Sequence, residues 1–198
     1  MMTRRLQLLC CGALLAIGAI ALSVSAQEAA PSGAAASVIN ADGDSIGTVT
    51  FTAVNGQTVV TAELLGLPQG FHGFHVHTTG SCEDTNQGRF TAAGGHVGAN
   101  TTSHASHPAD LPSLYVTENG SAYLSVVTDL FTVDQILDAD GSAIMIHANP
   151  DNFANIPPRY GGPDLETLNT GDSGARIACG VIVGALNAEA TPEATPAS

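Results

Sequence analysis

Hydrophobic and polar residues alternate in short segments along the central part of the chain. Residues 48–53 alternate threonines with Val, Phe and Ala, and residues 60–64 repeat this alternation. Between them lies Asn55-Gly56, a pair typical of a two-residue hairpin turn. A period of two residues places alternate side chains on opposite faces of a strand. The pattern therefore predicts two antiparallel strands joined by a tight turn.

Eight segments in all have the pattern of strands, and only residues 134–137 hint at a short helix. The predicted strands are 37–40, 48–53, 60–64, 71–78, 114–117, 121–128, 142–148 and 176–183. Many short strands without helices predict an all-β fold, here an eight-stranded antiparallel Greek-key sandwich or barrel. Two long loops, 79–113 and 149–175, interrupt it, and loops of that length in a compact domain usually carry function.

The two ends of the chain are expected to lie outside this domain. Arg4 and Arg5 precede an apolar run that ends in Val24-Ser25-Ala26, so residues 1–26 have the pattern of a cleaved export signal. An uncleaved membrane anchor is the alternative, because the run is nearly long enough to span a bilayer. We expect a flexible linker at 27–36, the folded domain at 37–186 and a disordered Pro/Thr/Ala tail at 187–198.

The charge of the chain excludes one class of function, and its cysteines indicate a disulfide. The chain of 198 residues has a formal net charge of −13 and no lysine, and removal of the signal leaves three arginines against 18 acidic residues. Nucleic-acid binding is excluded, because almost no positive charge is available to neutralise phosphates. Two cysteines remain after removal of the signal, Cys82 and Cys179, and in an exported protein they favour one disulfide over two free thiols.

The histidines indicate where the chemistry lies. All seven fall between positions 72 and 147, and His75 and His77 project from one face of a predicted strand as a chelating pair. His147 ends another strand. The first long loop holds three more histidines and a carboxylate, a donor set that suits a tetrahedral zinc site: His96, His104, His107 and Asp110. Imidazole is a good ligand for both copper and zinc.

Three motifs resemble the copper-zinc superoxide dismutases. They are Gly-Phe-His-Gly-Phe-His-Val-His at 70–77, Gly94-Gly95-His96, and Gly-Ala-Arg-Ile-Ala-Cys-Gly-Val-Ile at 174–182. The resemblance spans the whole domain and implies copper ligands His75, His77, His96 and His147. It also implies a zinc site in which His96 bridges the two metals, with the other zinc ligands His104, His107 and Asp110. The step from His104 to His107 is shorter than in typical members.

Further roles follow from the same resemblance. It implies copper-dependent disproportionation of superoxide to O2 and hydrogen peroxide, with His96 leaving copper on reduction, taking up a proton and delivering it to the departing peroxide. Arg176 would orient the superoxide anion, and Asp151 would link a copper histidine to a zinc histidine. His72 would hydrogen-bond backbone rather than metal. Cys82 would pair with Cys179.

Other interpretations remain open at this point. A non-catalytic copper carrier or metal buffer on the same fold would keep the histidines, but it would have no need of Arg176. A purely structural secreted β domain would not explain the histidine cluster. We expect a location in the periplasm, the cell envelope or outside the cell, and no membrane span in the mature chain. A homodimer stays open, because one sequence does not reveal an interface.

Overall fold

A computed structural model describes residues 33–184 of the chain. The predicted signal at 1–26, most of the predicted linker and the predicted tail at 187–198 lie outside the described residues. Within residues 33–184, no helix has the length and apolar character needed to cross a membrane.

Strands make up most of the regular secondary structure in the described part of the chain. They are β1 (Gly33–Asn40), β2 (Ser45–Val54), β3 (Gln57–Leu64), β4 (Gly70–His72), β5 (Phe74–His77), β6 (Leu114–Val116), β7 (Ala122–Thr128), β8 (Ser142–His147) and β9 (Arg176–Gly184). The one α-helix within residues 33–184, α1, spans Leu165–Thr170. Three short 3-10 helices lie at Thr91–Ala93, Val133–Ile136 and Pro158–Tyr160, and the second of these overlaps the predicted helical stretch.

All nine strands form one antiparallel sheet that nearly closes on itself. Their order is β4-β6-β7-β3-β2-β1-β9-β8-β5, so β4 and β5 lie at opposite ends of the sheet. Only Gly73 separates these two strands in the chain, and the two ends of the sheet therefore meet as a barrel. This confirms the predicted all-β antiparallel fold.

Two predicted boundaries differ from the structure. The predicted strand 71–78 is divided at Gly73, whose backbone N–H donates to the Asn149 carbonyl (2.9 Å) and whose carbonyl accepts from the His147 N–H (2.9 Å). The eight predicted strands thus become nine. The predicted linker, residues 27–36, also overlaps the first strand, because β1 begins at Gly33. Its first residues pair with β2, and the buried side chains of Ala34 and Ala36 pack in the core.

The core lies inside the barrel and follows the alternation seen in the sequence. On β2, Val49 and Phe51 are fully buried, and Val60 on β3 pairs with Phe51 across the strands. Burying an aromatic or aliphatic side chain of this size contributes about 1.5–3 kcal/mol. Asn55 and Gly56 both have positive φ angles, 51° and 79°, as the predicted hairpin turn requires.

Both long loops are fastened to the barrel and to each other. The first loop, between β5 and β6, is tied to β9 by the Cys82–Cys179 disulfide, which confirms the predicted pairing. The second loop, between β8 and β9, contains α1. The backbone N–H of His104 in the first loop donates to the carbonyl of Leu168 in α1 (2.8 Å). The loops therefore hold the side chains of the candidate site in a fixed relation to the strands.

Candidate metal centre

Six of the seven histidines converge where the two long loops cover β5 and β8. His75 and His77 lie on β5, a strand buried on both faces, and His147 ends β8. His96 reaches them because the first loop forms isolated β-bridges with β5, which pair His77 with His96 and His75 with Asp110. All four of these histidines are at most 4% exposed.

The first cluster consists of His75, His77, His96 and His147. One nitrogen from each lies within 4.8 Å of the others. His77 Nδ1 donates to the Gly94 carbonyl (2.8 Å) and His147 Nδ1 donates to the Gly174 carbonyl (2.9 Å). These bonds fix the tautomers and leave the two Nε2 atoms, 3.4 Å apart, as lone-pair donors toward the centre.

The second cluster surrounds the carboxylate of Asp110. His96 Nδ1 lies 3.0 Å from Asp110 Oδ1, and His104 Nδ1 lies 2.8 Å from Asp110 Oδ2. His107 Nδ1 is 3.1 Å from Asp110 Oδ2 and 3.3 Å from His96 Nδ1. The set whose ligand atoms all lie within 4.8 Å of one another contains His75 instead of His107, together with His96, His104 and Asp110. The three predicted zinc histidines, His96, His104 and His107, nevertheless all contact the Asp110 carboxylate.

Asp151 bridges the two clusters. It contacts the Nε2 atoms of His75 and His104, on the side of each ring opposite its Nδ1 atom. Its Oδ2 accepts from His75 Nε2 (2.6 Å) and its Oδ1 accepts from His104 Nε2 (2.8 Å). The backbone N–H of Phe153 also donates to Oδ1 (2.7 Å). These bonds turn the Nδ1 atoms of His75 and His104 toward the two centres. Asp151 thus forms a hydrogen-bonded bridge between His75 and His104.

Two buried nitrogens of the site, His75 Nδ1 and His107 Nε2, have no hydrogen-bond partner in the described part of the chain. His104 Nδ1 and Asp110 Oδ2 also lack a hydrogen bond of good geometry, although the two atoms lie 2.8 Å apart. Leaving a buried polar group unpaired costs about 1–3 kcal/mol, so native proteins rarely leave several together. Three of the four atoms face the proposed centres, and a cation at each centre would satisfy them. The donor set of imidazoles and one carboxylate fits copper and zinc.

Burial and hydrogen bonds set the charge states of the site. Burial lowers the pKa of His75 to about 4 and that of His147 to about 3, which keeps both rings neutral at pH 7. Burial alone would also lower the pKa of His104, but the carboxylates of Asp110 and Asp151 beside it outweigh burial and raise this pKa to about 9, so the metal-free His104 ring is protonated at pH 7. The same contacts hold the pKa values of both carboxyls well below the ordinary range. Ionised carboxylate and neutral imidazole are the forms that bind metals, so a cation bound by His104 would displace its proton.

Arg176 lies beside the first cluster at the start of β9. Its Nη1 donates to the Phe90 carbonyl (2.7 Å) and its Nη2 to the Gly94 carbonyl (2.6 Å), which also accepts from His77. A cavity of about 370 Å³ connects the guanidinium with the cluster, and its lining includes His77, His96, His147, Asn169, Thr170 and Arg176. Burial lowers the pKa of Arg176, yet a guanidinium remains charged in proteins. The cavity therefore offers a fixed positive charge next to four imidazoles.

His72 lies outside both clusters, as the sequence predicts. Its two ring nitrogens contact the carbonyls of His147 (2.7 Å) and Pro68 (2.9 Å). Sequence reasoning missed Gly171, where an added Cβ would overlap both Asp151 and His104. This glycine, with φ +60°, ends α1. In the sequence, only its position after a short helix could have singled out Gly171. The overlap with Asp151 and His104 depends on how loops distant in sequence pack together.

The chain is similar to known proteins both in sequence and in structure. The model of the family described as "Copper/zinc superoxide dismutase (SODC)" matches residues 45–182. A protein of Mycobacterium tuberculosis named "Superoxide dismutase [Cu-Zn]" is 46% identical over 160 residues, covering 71% of this chain and 66% of the relative, just under two thirds of its length. A protein of the same name from Escherichia coli is 38% identical over 151 residues, covering 71% of this chain and 80% of the relative. The solved structure "Cu/Zn superoxide dismutase from Brucella abortus" has a TM-score of 0.61 and 29% identity, covering 75% of this chain and 98% of that chain.

Proposed function

This chain belongs to the copper/zinc superoxide dismutase family, and from that premise we propose that it disproportionates superoxide. In the balanced reaction, two superoxide anions and two protons give one O2 and one hydrogen peroxide. The observation that carries the proposal is the pair of adjoining histidine clusters that share His96, with Arg176 in the cavity beside the first of them.

We assign the first cluster to copper. Its ligands would be His75 through Nδ1 and His77, His96 and His147 through Nε2, since the remaining nitrogen of His75, His77 and His147 is engaged by Asp151 or a backbone carbonyl. Bound copper supplies one-electron chemistry by cycling between two oxidation states. A site of four buried imidazoles suits that metal.

We assign the second cluster to zinc, with ligands His96, His104 and His107 through Nδ1 and Asp110 through its carboxylate. The three nitrogens and the carboxylate form a closed set of four donors, which is typical of a structural zinc site. The role of this site is to fix the first loop and the orientation of the His96 ring. Asp151 supports both assignments by holding His75 and His104 from outside.

Arg176 and His96 handle the substrate in this proposal. Arg176 attracts the superoxide anion into the cavity and orients it through its guanidinium donors, two of which are already held by backbone carbonyls. Once His96 Nε2 is free of the metal, it would hold a proton and donate it to the reduced dioxygen, and a second proton from solvent would complete neutral hydrogen peroxide. The cavity wall among the described residues contains no carboxylate that would repel the anion.

The proposal is tested by substituting the cavity arginine. In copper-loaded full chain, Arg176→Gln should lower kcat/KM for superoxide by at least about tenfold, because a charge-assisted contact to the anion is lost. Arg159→Gln is the matched control, since Arg159 is exposed, stacks over Tyr160 and does not line this cavity. Copper binding without superoxide turnover would instead favour a copper carrier.

We also propose that the protein works outside the cytoplasm, in the periplasm, the cell envelope or the extracellular space. The Cys82–Cys179 disulfide supports this, since such bonds persist mainly in oxidising compartments. Fractionation of producing cells followed by thiol labelling tests it. A protein found in the cytosol with both thiols free would contradict the proposal.

We further propose that two copies associate as a homodimer. The supporting feature is an exposed aromatic pair on neighbouring strands, Phe71 on β4 and Tyr115 on β6, with ring centroids 4.9 Å apart. Exposed aromatic clusters are enriched at protein interfaces. Sedimentation of the full chain should give twice the monomer mass, and Phe71→Ser should shift it toward the monomer. A wild-type protein that is monomeric at micromolar concentration would refute self-association.

A further inference from the structure

A cavity of about 440 Å³ lies beside the second cluster. Its walls come from the end of β7 and the residues that follow it, from Asp110 and the two residues after it, and from Phe153 in the second loop. Asp110 is the carboxylate that the three proposed zinc histidines contact. The cavity beside the first cluster is lined by none of Asp110, His104 and His107. Of these two cavities, this one reaches a ligand that belongs to the second cluster alone.

Phe153 separates this cavity from His104. Its ring lies nearly parallel to the His104 ring, with 15° between the two planes and 6.4 Å between the ring centroids. Phe153 is 43% exposed, whereas the side chains of His104 and Asp110 are only 0% and 2% exposed. The phenyl ring therefore faces the cavity on one side and a proposed zinc ligand on the other. Movement of the ring would open the cavity toward His104.

The backbone that carries this ring has an unusual conformation. Phe153 and Ala154 both have positive φ angles, 54° and 52°, which residues with bulky side chains rarely adopt. Two hydrogen bonds hold the turn, because the Phe153 N–H donates to Asp151 Oδ1 (2.7 Å) and the Ala154 N–H donates to Asn152 Oδ1 (2.8 Å). Backbone strain of this kind is concentrated at functional sites. The exposed ring can change rotamer while the turn stays in place.

The charge of the lining suits a cation. Two carboxylates, Asp110 and Asp129, belong to the lining, and none of the described residues that form it is basic. A cleft lined by charges of one sign raises the local concentration of the opposite ion. We propose that this cavity is the route by which zinc reaches the second cluster and that Phe153 is its gate. The ring covers His104 in the closed position and moves aside to admit the ion. This inference rests on the assignment of the second cluster to zinc in the proposed function.

A gate changes the rates of zinc exchange without changing the affinity. Phe153→Ala removes the ring but keeps the backbone N–H that donates to Asp151. An open route serves entry and release alike, so zinc uptake and zinc release should both accelerate by at least about tenfold, with Kd within about threefold of the wild-type value. A residue that only packs against His104 would leave uptake unchanged and would weaken Kd.

The experiment measures both rates by stopped flow in the full chain, with copper already bound so that added zinc enters the second cluster. A fluorescent zinc indicator follows uptake, and an excess of a chromogenic chelator follows release. Phe153→Leu keeps an apolar side chain beside His104 and should exchange zinc more slowly than Phe153→Ala. Leu130→Ala is the matched control, because Leu130 is an exposed apolar residue on the β7 side of the same cavity, and it should exchange zinc at wild-type rates.

Three results would overturn the proposal. Wild-type rates in Phe153→Ala would show that zinc enters by another path. Faster release with unchanged uptake would show that Phe153 only stabilises the occupied site. A copper-loaded wild type that takes up no zinc would overturn the zinc assignment and the route together. None of these measurements uses superoxide turnover, so failure of this inference is distinguishable from failure of the proposed activity.

Discussion

Replacing Asp151 with asparagine should weaken the binding of both metals, because this one carboxylate orients a histidine in each cluster. Asparagine keeps an oxygen that can accept from His104 and from the Phe153 N–H, the two bonds made by Asp151 Oδ1. Its NH2 group would then face the His75 Nε2–H, which now donates to Oδ2 over 2.6 Å. Two donors would oppose each other in a buried place, and the negative charge would be gone.

The expected loss follows from these contacts. Leaving one buried N–H unpaired costs about 1–3 kcal/mol. Removing a carboxylate that orients metal-binding histidines typically reduces metal affinity about 10–100-fold, which corresponds to about 1.4–2.8 kcal/mol. The two magnitudes agree. We therefore expect Asp151→Asn to weaken copper and zinc binding by one to two powers of ten, roughly.

The assay is competition of the full chain with a chelator of known affinity for each metal. Asp164→Asn is the matched control, because Asp164 lies in the same loop and caps α1 by accepting from the Thr167 N–H (2.9 Å), a role asparagine fills equally well. Gly171→Ala should resemble Asp151→Asn, since its Cβ would push against Asp151 and His104. Wild-type affinity for both metals in Asp151→Asn would show that Asp151 does not orient these histidines for metal binding.

Three other properties can be predicted from the same contacts. Replacing Cys82 and Cys179 by serine should reduce the free energy of unfolding in urea by about 4–5 kcal/mol, since the bond closes a loop with a sequence separation of 97; a loss below about 1 kcal/mol would contradict this. With no lysine in the chain, kcat/KM for superoxide should fall only weakly with added sodium chloride, and a steep fall would show that the protein's field steers the anion. In metal-free protein, His75 and His147 have folded-state pKa values of about 4 and about 3, below the unfolded value of 6.5, so their contribution to stability is present above pH 6.5 and is lost as the pH falls toward 4 and then 3. Thermal melting between pH 7 and pH 4 measures this, and a constant Tm would refute it.

Much of the fold could be predicted because strand patterns are local. The alternation on β2 and β3 and the Asn55-Gly56 turn depend on neighbouring residues, and the structure has both. The division between β4 and β5 could not be predicted in this way. It arises because Gly73 bonds to the backbone of Asn149 and His147, which are distant in sequence. The burial of Ala34 was missed because alanine carries little strand signal of its own.

The candidate site shows the same division between local and distant information. The spacing of His75 and His77, and of His107 and Asp110, is visible in the sequence. The position of Gly171 against Asp151 and the carbonyl of Gly94 shared by His77 and Arg176 depend on how two loops fold over one strand.

In the proposed function, two metal centres share His96 and the copper centre turns over superoxide. The most direct test is metal analysis of the full chain after loading with copper and zinc, with superoxide disproportionation measured on the same sample. We expect roughly one copper and one zinc per chain, and turnover that disappears when copper alone is removed. Copper bound at one per chain without turnover, or turnover that persists after copper is removed, would contradict it.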